Sequence, residues 1–91
     1  MIYSIIFSEE AEHEAKKLDN NILQRIVKKL EEASNNPFQF FERLSGREDY
    51  KLRIGDYRVI AKILTNDKEI FVISMGHRKN VYKYSRSHNK L

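Results

Sequence analysis

"DYKLRIGDYRVIAK" (residues 49–62) is the stretch whose reading decides the fold. Tyr50, Leu52 and Ile54 alternate with Asp49, Lys51 and Arg53, the period-two pattern of a strand with one buried face. Gly55-Asp56 is a Gly-X pair of the kind that closes a type II′ hairpin, and Tyr57, Val59, Ala61 and Ile63 continue the apolar face on the returning strand. That turn sets Leu52 opposite Val59, Lys51 opposite Ile60, Asp49 opposite Lys62 and Arg53 opposite Arg58. The last pair is unfavourable, because cross-strand partners lie about 5 Å apart and like charges so placed destabilise a sheet. Two unit charges about 6 Å apart at an effective dielectric near 20 repel by roughly 3 kcal/mol before solvent weakens them.

A second hairpin follows. Asn66-Asp67 and the longer loop 65–68 give the same register, with Ile60 opposite Ile73 and Arg58 opposite Met75, and "EIFVISM" (residues 69–75) as the next strand. Carrying the alternation through Gly76 brings His77 to the face that holds Lys51, Arg53, Arg58 and Lys62. Long cationic side chains can also splay into water and protect a sheet edge. Here Asp49 is the only acid on that hairpin face, which is poor chemistry for protection and good chemistry for a polyanion. Phosphate would relieve the repulsion, and the aromatic residues beyond Gly76 could stack on bases.

Upstream, "IYSIIF" (residues 2–7) reads as a short buried strand. Ser8 offers an N-cap, Glu9 and Glu10 suit the positive end of a helix dipole, and Ala11, Ala15 and Leu18 form a narrow apolar stripe. After Asp19-Asn20-Asn21, the residues Ile22, Leu23, Ile26, Val27, Leu30 and Ala33 repeat with helical period until "SNNP" (residues 34–37) stops the second helix. The two make an antiparallel helical hairpin with Lys16, Lys17, Lys28 and Lys29 toward water. "FQFFERLSG" (residues 38–46) is a connection that packs Phe38, Phe40 or Phe41 under the helices. The order β-α-α-β-β-β predicts an α+β domain: two N-terminal helices inserted after strand 1 and packed on a mostly antiparallel four-stranded sheet, followed by a short C-terminal helical turn or tail.

The chain has 91 residues, the size of a single domain spanning 1–91 with one modest core. It contains no cysteine, so disulfides and thiolate zinc sites are excluded, and the three histidines, His13, His77 and His88, show no metal-ligand spacing. A metal-independent mechanism without cofactor is expected. The first residues are neither a signal peptide nor a membrane span, which points to a soluble, cytoplasmic protein. The net charge of +4 hides an asymmetry: residues 1–42 hold five Lys and Arg against eight Asp and Glu, and residues 43–91 hold twelve against five. The basic half is the half that attracts a polyanion.

The order of elements, the "YKLRIGDYRVIAKI" hairpin and the "VISMGHRKNVY" segment resemble the RelE/ParE superfamily of type II toxins, its RelE branch above all. The resemblance covers essentially the whole chain and takes its specificity from the second half. It implies a metal-independent endoribonuclease that cuts mRNA in the ribosomal A site, among 16S-type rRNA, and is held inactive by an acidic RelB-like antitoxin. By the family's motifs, Lys51 and Arg53 match the two basic residues of the central strand. Arg58 matches the arginine that opens the next strand, and Arg78 the arginine after the last. His77 stands where the RelE pattern has a lysine. Tyr82 would be the C-terminal tyrosine, with Tyr84 as its substitute because the spacing from Gly76 is shorter than in the family.

Metal-free RNA cleavage needs a base for the 2′-OH proton, positive charge on the phosphorane and an acid for the leaving 5′-oxygen. Lys51 is the expected base, since the neighbouring Arg53 and Arg58 disfavour a further positive charge beside them. Arg53 and Arg58 would hold the phosphate, His77 or Arg78 would complete proton transfer, and Tyr82 or Tyr84 would orient the nucleotide. Lys62, Lys79 and Lys83 are expected as further RNA contacts. Two other functions fit the same pattern: a ParE-like gyrase inhibitor without nuclease chemistry, and a nucleic-acid-binding module that cleaves nothing.

Overall fold

The computed structural model describes residues 2–46 and 48–77. Strand β1 (Ser4–Phe7) leads into helix α1 (Glu9–Lys16), then helix α2 (Asn20–Ala33) and a single turn, α3 (Pro37–Phe40). The rest is sheet: β2 (Glu42–Arg43), β3 (Tyr50–Ile54), β4 (Tyr57–Leu64) and β5 (Glu69–His77). The five strands lie in the order β1-β5-β4-β3-β2. The predicted α+β arrangement is present with one strand more than expected. The additional strand is β2, within the aromatic stretch read as a connection; at two residues, paired through Glu42–Lys51 and Arg43–Tyr50, it is too short to show any alternation. β1 pairs in parallel with β5, and the other pairings are antiparallel.

Local chemistry accounts for the helices. Ser8 caps α1, its Oγ accepting from Ala11 N–H at 3.0 Å, and Glu9, Glu10 and Glu12 occupy the first turn, where the helix dipole favours negative charge. α2 begins at Asn20 rather than Ile22, with Asp19 at its N-cap, and Ser34 closes it by donating from Oγ to Glu31 O. Pro37 at the start of α3 fits the position where a missing N–H costs nothing. Lys16, Lys17 and Lys28 face water as expected; Lys29 instead lies half-buried, 3.6 Å from Glu32 and over the Phe40 ring at 5.1 Å.

α1 packs on β5 and β1, and α2 on β3. The core between helices and sheet holds Ala11, Ile26, Leu30, Ala33, Leu52, Val59, Ala61, Ile70 and Val72, each no more than 1% exposed. Of the three phenylalanines that were the alternatives for packing under the helices, Phe41 is buried and Phe40 half-buried. Phe38 remains about half exposed, edge-on to Tyr50 at 5.7 Å.

The first hairpin has the predicted register, from Ile54–Tyr57 through Arg53–Arg58 and Leu52–Val59 to Lys51–Ile60. Its ladder ends at Tyr50–Ala61, one rung before the expected Asp49–Lys62 pair. Asp49 lies buried ahead of β3, where its carbonyl accepts from Leu44 N–H. The second hairpin starts as predicted, with Leu64–Glu69 through Ala61–Val72. A β-bulge then moves the register by one, so that Ile60 pairs with Ser74 and Arg58 with Gly76, in place of the predicted Ile60–Ile73 and Arg58–Met75. The predicted C-terminal turn or tail lies outside the described residues.

Helix α1 touches the sheet beyond the bulge through Glu14, whose Oε1 accepts from Met75 N–H at 3.0 Å. Burial holds the Glu14 carboxyl above its ordinary 4.5; the Met75 hydrogen bond opposes the shift, Glu10 adds to it, and Lys17 and His13 oppose it. A group whose folded pKa is raised contributes most to stability below its unfolded pKa, and that contribution is lost as pH rises through the folded value. Glu14→Gln, which keeps an acceptor for Met75 and carries no charge, is therefore expected to be more stable than the parent at neutral pH. Urea unfolding from pH 7 down through 4.5 should show the difference shrinking toward zero.

Candidate nucleic-acid interface

Pairing places residues on faces, because partners in a ladder point to the same side of a sheet. Lys51, Ile60 and Ser74 form one rung of the face turned away from the helices, and Arg53, Arg58 and Gly76 form the next. Lys62 lies on the same face, two residues along β4 from Ile60, opposite Phe71. Lys51, Arg53, Arg58 and Lys62 therefore share a face, as the hairpin pattern predicts.

Their environments differ. Arg53 and Lys62 are exposed and Lys51 is half-buried, but Arg58 is only 4% exposed. Its guanidinium folds back over the turn, Nη1 donating to Gly55 O at 2.8 Å and to Tyr57 O at 2.9 Å. Two carbonyl dipoles thus face the Arg58 charge while Arg53 extends outward, which separates the two cations that the register sets side by side. Among the described residues, the Arg58 Nε–H is buried without a hydrogen-bond partner, and so is the Ser74 hydroxyl on the same face.

The turn itself depends on Gly55, at φ +60 and followed by a residue of negative φ, the backbone pattern of a type II′ turn. On the other side of this turn, Arg25 of α2 comes close enough that its Nη2 would lie 3.3 Å from a Cβ at position 55.

His77 does not join the cations. The bulge reverses the alternation of β5, so that Met75 and His77 pair with Val59 and Tyr57 on the helix side of the sheet. The His77 imidazole packs edge-on to the Tyr57 ring, with centroids 5.6 Å apart and planes at 80°. A one-residue slip moves every later side chain to the opposite face, and this is the physical reason the predicted placement of His77 fails. The remaining predicted residues, Arg78, Lys79, Tyr82, Lys83 and Tyr84, lie outside the described residues.

Two contributors escaped the sequence reading. Glu42 of β2 sits directly across from Lys51, an acid that the isolated hairpin lacks. Gly76, at φ +155, is Arg58's neighbour across the ladder and itself brings no side chain to that position. A glycine within a strand is the sequence signal for a bulge or a close approach, and Gly76 carried that signal.

A family model described as the ParE toxin of type II toxin-antitoxin system, parDE, matches residues 5–82. The mRNA interferase toxin RelE of Escherichia coli strain K12 is 32% identical over 90 residues, spanning 96% of this chain and 95% of that protein. Among solved structures, the free Escherichia coli RelE toxin carrying two arginine-to-alanine changes superposes with a TM-score of 0.79 at 28% identity, covering 100% of this chain and 99% of the other. The RelE chain of the intact Escherichia coli RelBE toxin-antitoxin complex gives 0.73 at 29% identity, covering 82% and 95%.

Gly55→Ala tests the turn that holds Arg58. An L-residue at positive φ is strained by about 1–2 kcal/mol, whereas the Arg25 side chain can move aside from a new methyl group. The substitution is expected to lower stability by about 1 kcal/mol in urea unfolding, and Gly55→Asn, which tolerates this conformation better, by less.

Proposed function

The chain belongs to the ParE toxin family of the RelE/ParE superfamily, and from that premise we propose that it is the toxin of a type II toxin-antitoxin pair, an endoribonuclease that cuts mRNA on the ribosome. The observation that carries the reading is the face built from Lys51, Arg53, Arg58 and Lys62, cations brought together in the register that the sheet adopts. The K12 RelE relative, an mRNA interferase, supports the same activity.

The chemistry follows from the side chains. Lys51 takes the proton from a ribose 2′-OH, and the resulting oxyanion attacks the adjacent phosphorus. The P–O5′ bond breaks, leaving a 2′,3′-cyclic phosphate on one fragment and a 5′-hydroxyl on the other. Arg53 and Lys62, both exposed, bind phosphate oxygens, and the Arg58 guanidinium, fixed at the turn, adds positive charge to the phosphorane. Since His77 packs against Tyr57, the leaving oxygen is served by Arg78, as the family's motif implies. Tyr82 or Tyr84 orients the nucleotide, and Lys79 and Lys83 add contacts to RNA. The steps require no metal or cofactor.

The partners in this reading are mRNA in the ribosomal A site, the surrounding 16S-type rRNA and an acidic RelB-like antitoxin, with the toxin acting in the cytoplasm. RelE neighbours have been solved with a RelB antitoxin, which supports the last partner. The description of the matching family model favours a second function, inhibition of DNA gyrase by a ParE-like toxin, which would make no use of a base on the cationic face.

Translating ribosomes carrying a defined mRNA, with 5′ ends mapped, separate the two functions when a gyrase supercoiling assay is run alongside. The parent is expected to produce new 5′ ends at A-site codons, and Lys51→Ala or Arg58→Ala to cut at least about a hundredfold more slowly. Cleavage by both variants at the parent rate would refute these roles. Inhibition of gyrase without cleavage would establish the second function instead.

A further inference from the structure

Strand β5 spans nine residues and its parallel neighbour β1 only four. Their ladder ends at Phe7–Val72, so past Val72 the β5 backbone needs other hydrogen-bond partners on that side. Helix α1 supplies them. Ser8 N–H donates to Val72 O at 2.9 Å, Ser8 Oγ donates to Ile73 O at 2.9 Å, and Met75 N–H donates to Glu14 Oε1 at 3.0 Å.

The bulge falls at the same place. Ile73 has no partner on β4, because the register steps from Ala61–Val72 to Ile60–Ser74. The two side-chain bonds from α1 therefore grip the bulged residue's carbonyl and the amide two residues later. An unbulged β5 would set Met75 across from Arg58 and Ile73 across from Ile60, continuing the register of Ala61–Val72. The bulged strand sets Gly76 and Ser74 there, replacing a thioether beside Arg58 with a residue that has no side chain and an isoleucine with a hydroxyl.

We propose that Ser8 and Glu14 are positioning residues for the cationic face: by holding the β5 bulge, they fix the register that places Gly76, and not Met75, beside Arg58. The functional consequence rests on that face being the RNA site. Neither residue touches RNA in this scheme. Both act through the backbone of β5, from the opposite side of the sheet.

Three variants separate this role from simple support of the fold. Ser8→Asp retains a cap acceptor for Ala11 but has no hydroxyl proton for Ile73 O. Glu14→Ala removes the acceptor for Met75, and Glu14→Gln restores one. The first readout needs no activity: NMR signals of the Gly76 amide and the Arg58 Nε–H in the full chain. The second is A-site cleavage, resolved into kcat and KM.

Ser8→Asp and Glu14→Ala are expected to shift both signals and to lower kcat about tenfold or more with KM changed less than about twofold, the pattern of misplaced reacting groups. Glu14→Gln should return the signals and kcat to near the parent values. If Glu14→Ala does not fold, Ser8→Asp carries the comparison. Unchanged Gly76 and Arg58 signals in folded Ser8→Asp or Glu14→Ala would overturn the proposal, as would Glu14→Gln as impaired as Glu14→Ala. Signals that shift in the expected pattern while the parent cuts no mRNA would support the clamp and overturn the nuclease function instead.

Discussion

A strand's backbone must find hydrogen-bond partners on both sides, and β5 meets that constraint in two different ways along its length. Over residues 69–72 it lies between β1 and β4, with both ladders filled. Beyond Val72 the chain of β1 has already turned into α1, so an extended β5 would leave buried N–H and C=O groups unpaired at a cost of about 1–3 kcal/mol each. The helix therefore does two jobs. It buries Ala11 against the sheet and uses Ser8 and Glu14 in place of the missing strand. The bulge, the reversed alternation of β5 and the position of His77 all belong to this one arrangement.

Electrostatics on the opposite face follow from that register. Arg53 and Arg58 occupy adjacent positions on neighbouring strands, an arrangement a sheet tolerates only when something offsets the repulsion. The offset is asymmetric. Arg58 turns into the carbonyls of Gly55 and Tyr57, while Arg53 stays in water, where its charge is screened. Glu42, across from Lys51, adds an acid on the neighbouring rung. The face is thus a graded set of cations, one anchored, one flanked by a carboxylate and two extended, and not a uniform basic patch.

Much of this was legible in the sequence because the first hairpin combines three signals that agree: strict alternation, a Gly-X turn and matching apolar faces. Its register, and with it the company kept by Lys51, Arg53, Arg58 and Lys62, needed no tertiary information. The second hairpin began equally well and failed at Ile73, because the bulge is dictated by a helix distant in sequence. Gly76 was a local hint of irregularity in β5, but nothing in the local pattern marked Ile73, three residues earlier, as the bulged residue. β2 escaped for the opposite reason, since two residues carry no period. The parallel pairing of β1 with β5 was likewise beyond local pattern, although the short apolar run marked β1 itself as a strand.

The buried Arg58 is the point where structure and function constrain each other most tightly. A guanidinium carried out of water loses several kcal/mol of hydration, and neutral carbonyls at a turn recover only part of that. Among the described residues its Nε–H has no partner, so the hydrogen-bonding capacity of the group is incompletely used there. A β-branched apolar residue opposite Gly76 would suit the sheet better, and it would remove the repulsion from Arg53. An arginine in this position is better matched to an anion than to the protein around it. A phosphate oxygen would supply both a countercharge for the Arg53–Arg58 pair and an acceptor for the idle donor. Gly76 belongs to the same arrangement: the bulge brings to the Arg58 rung a residue with no side chain where the unbulged register would bring Met75.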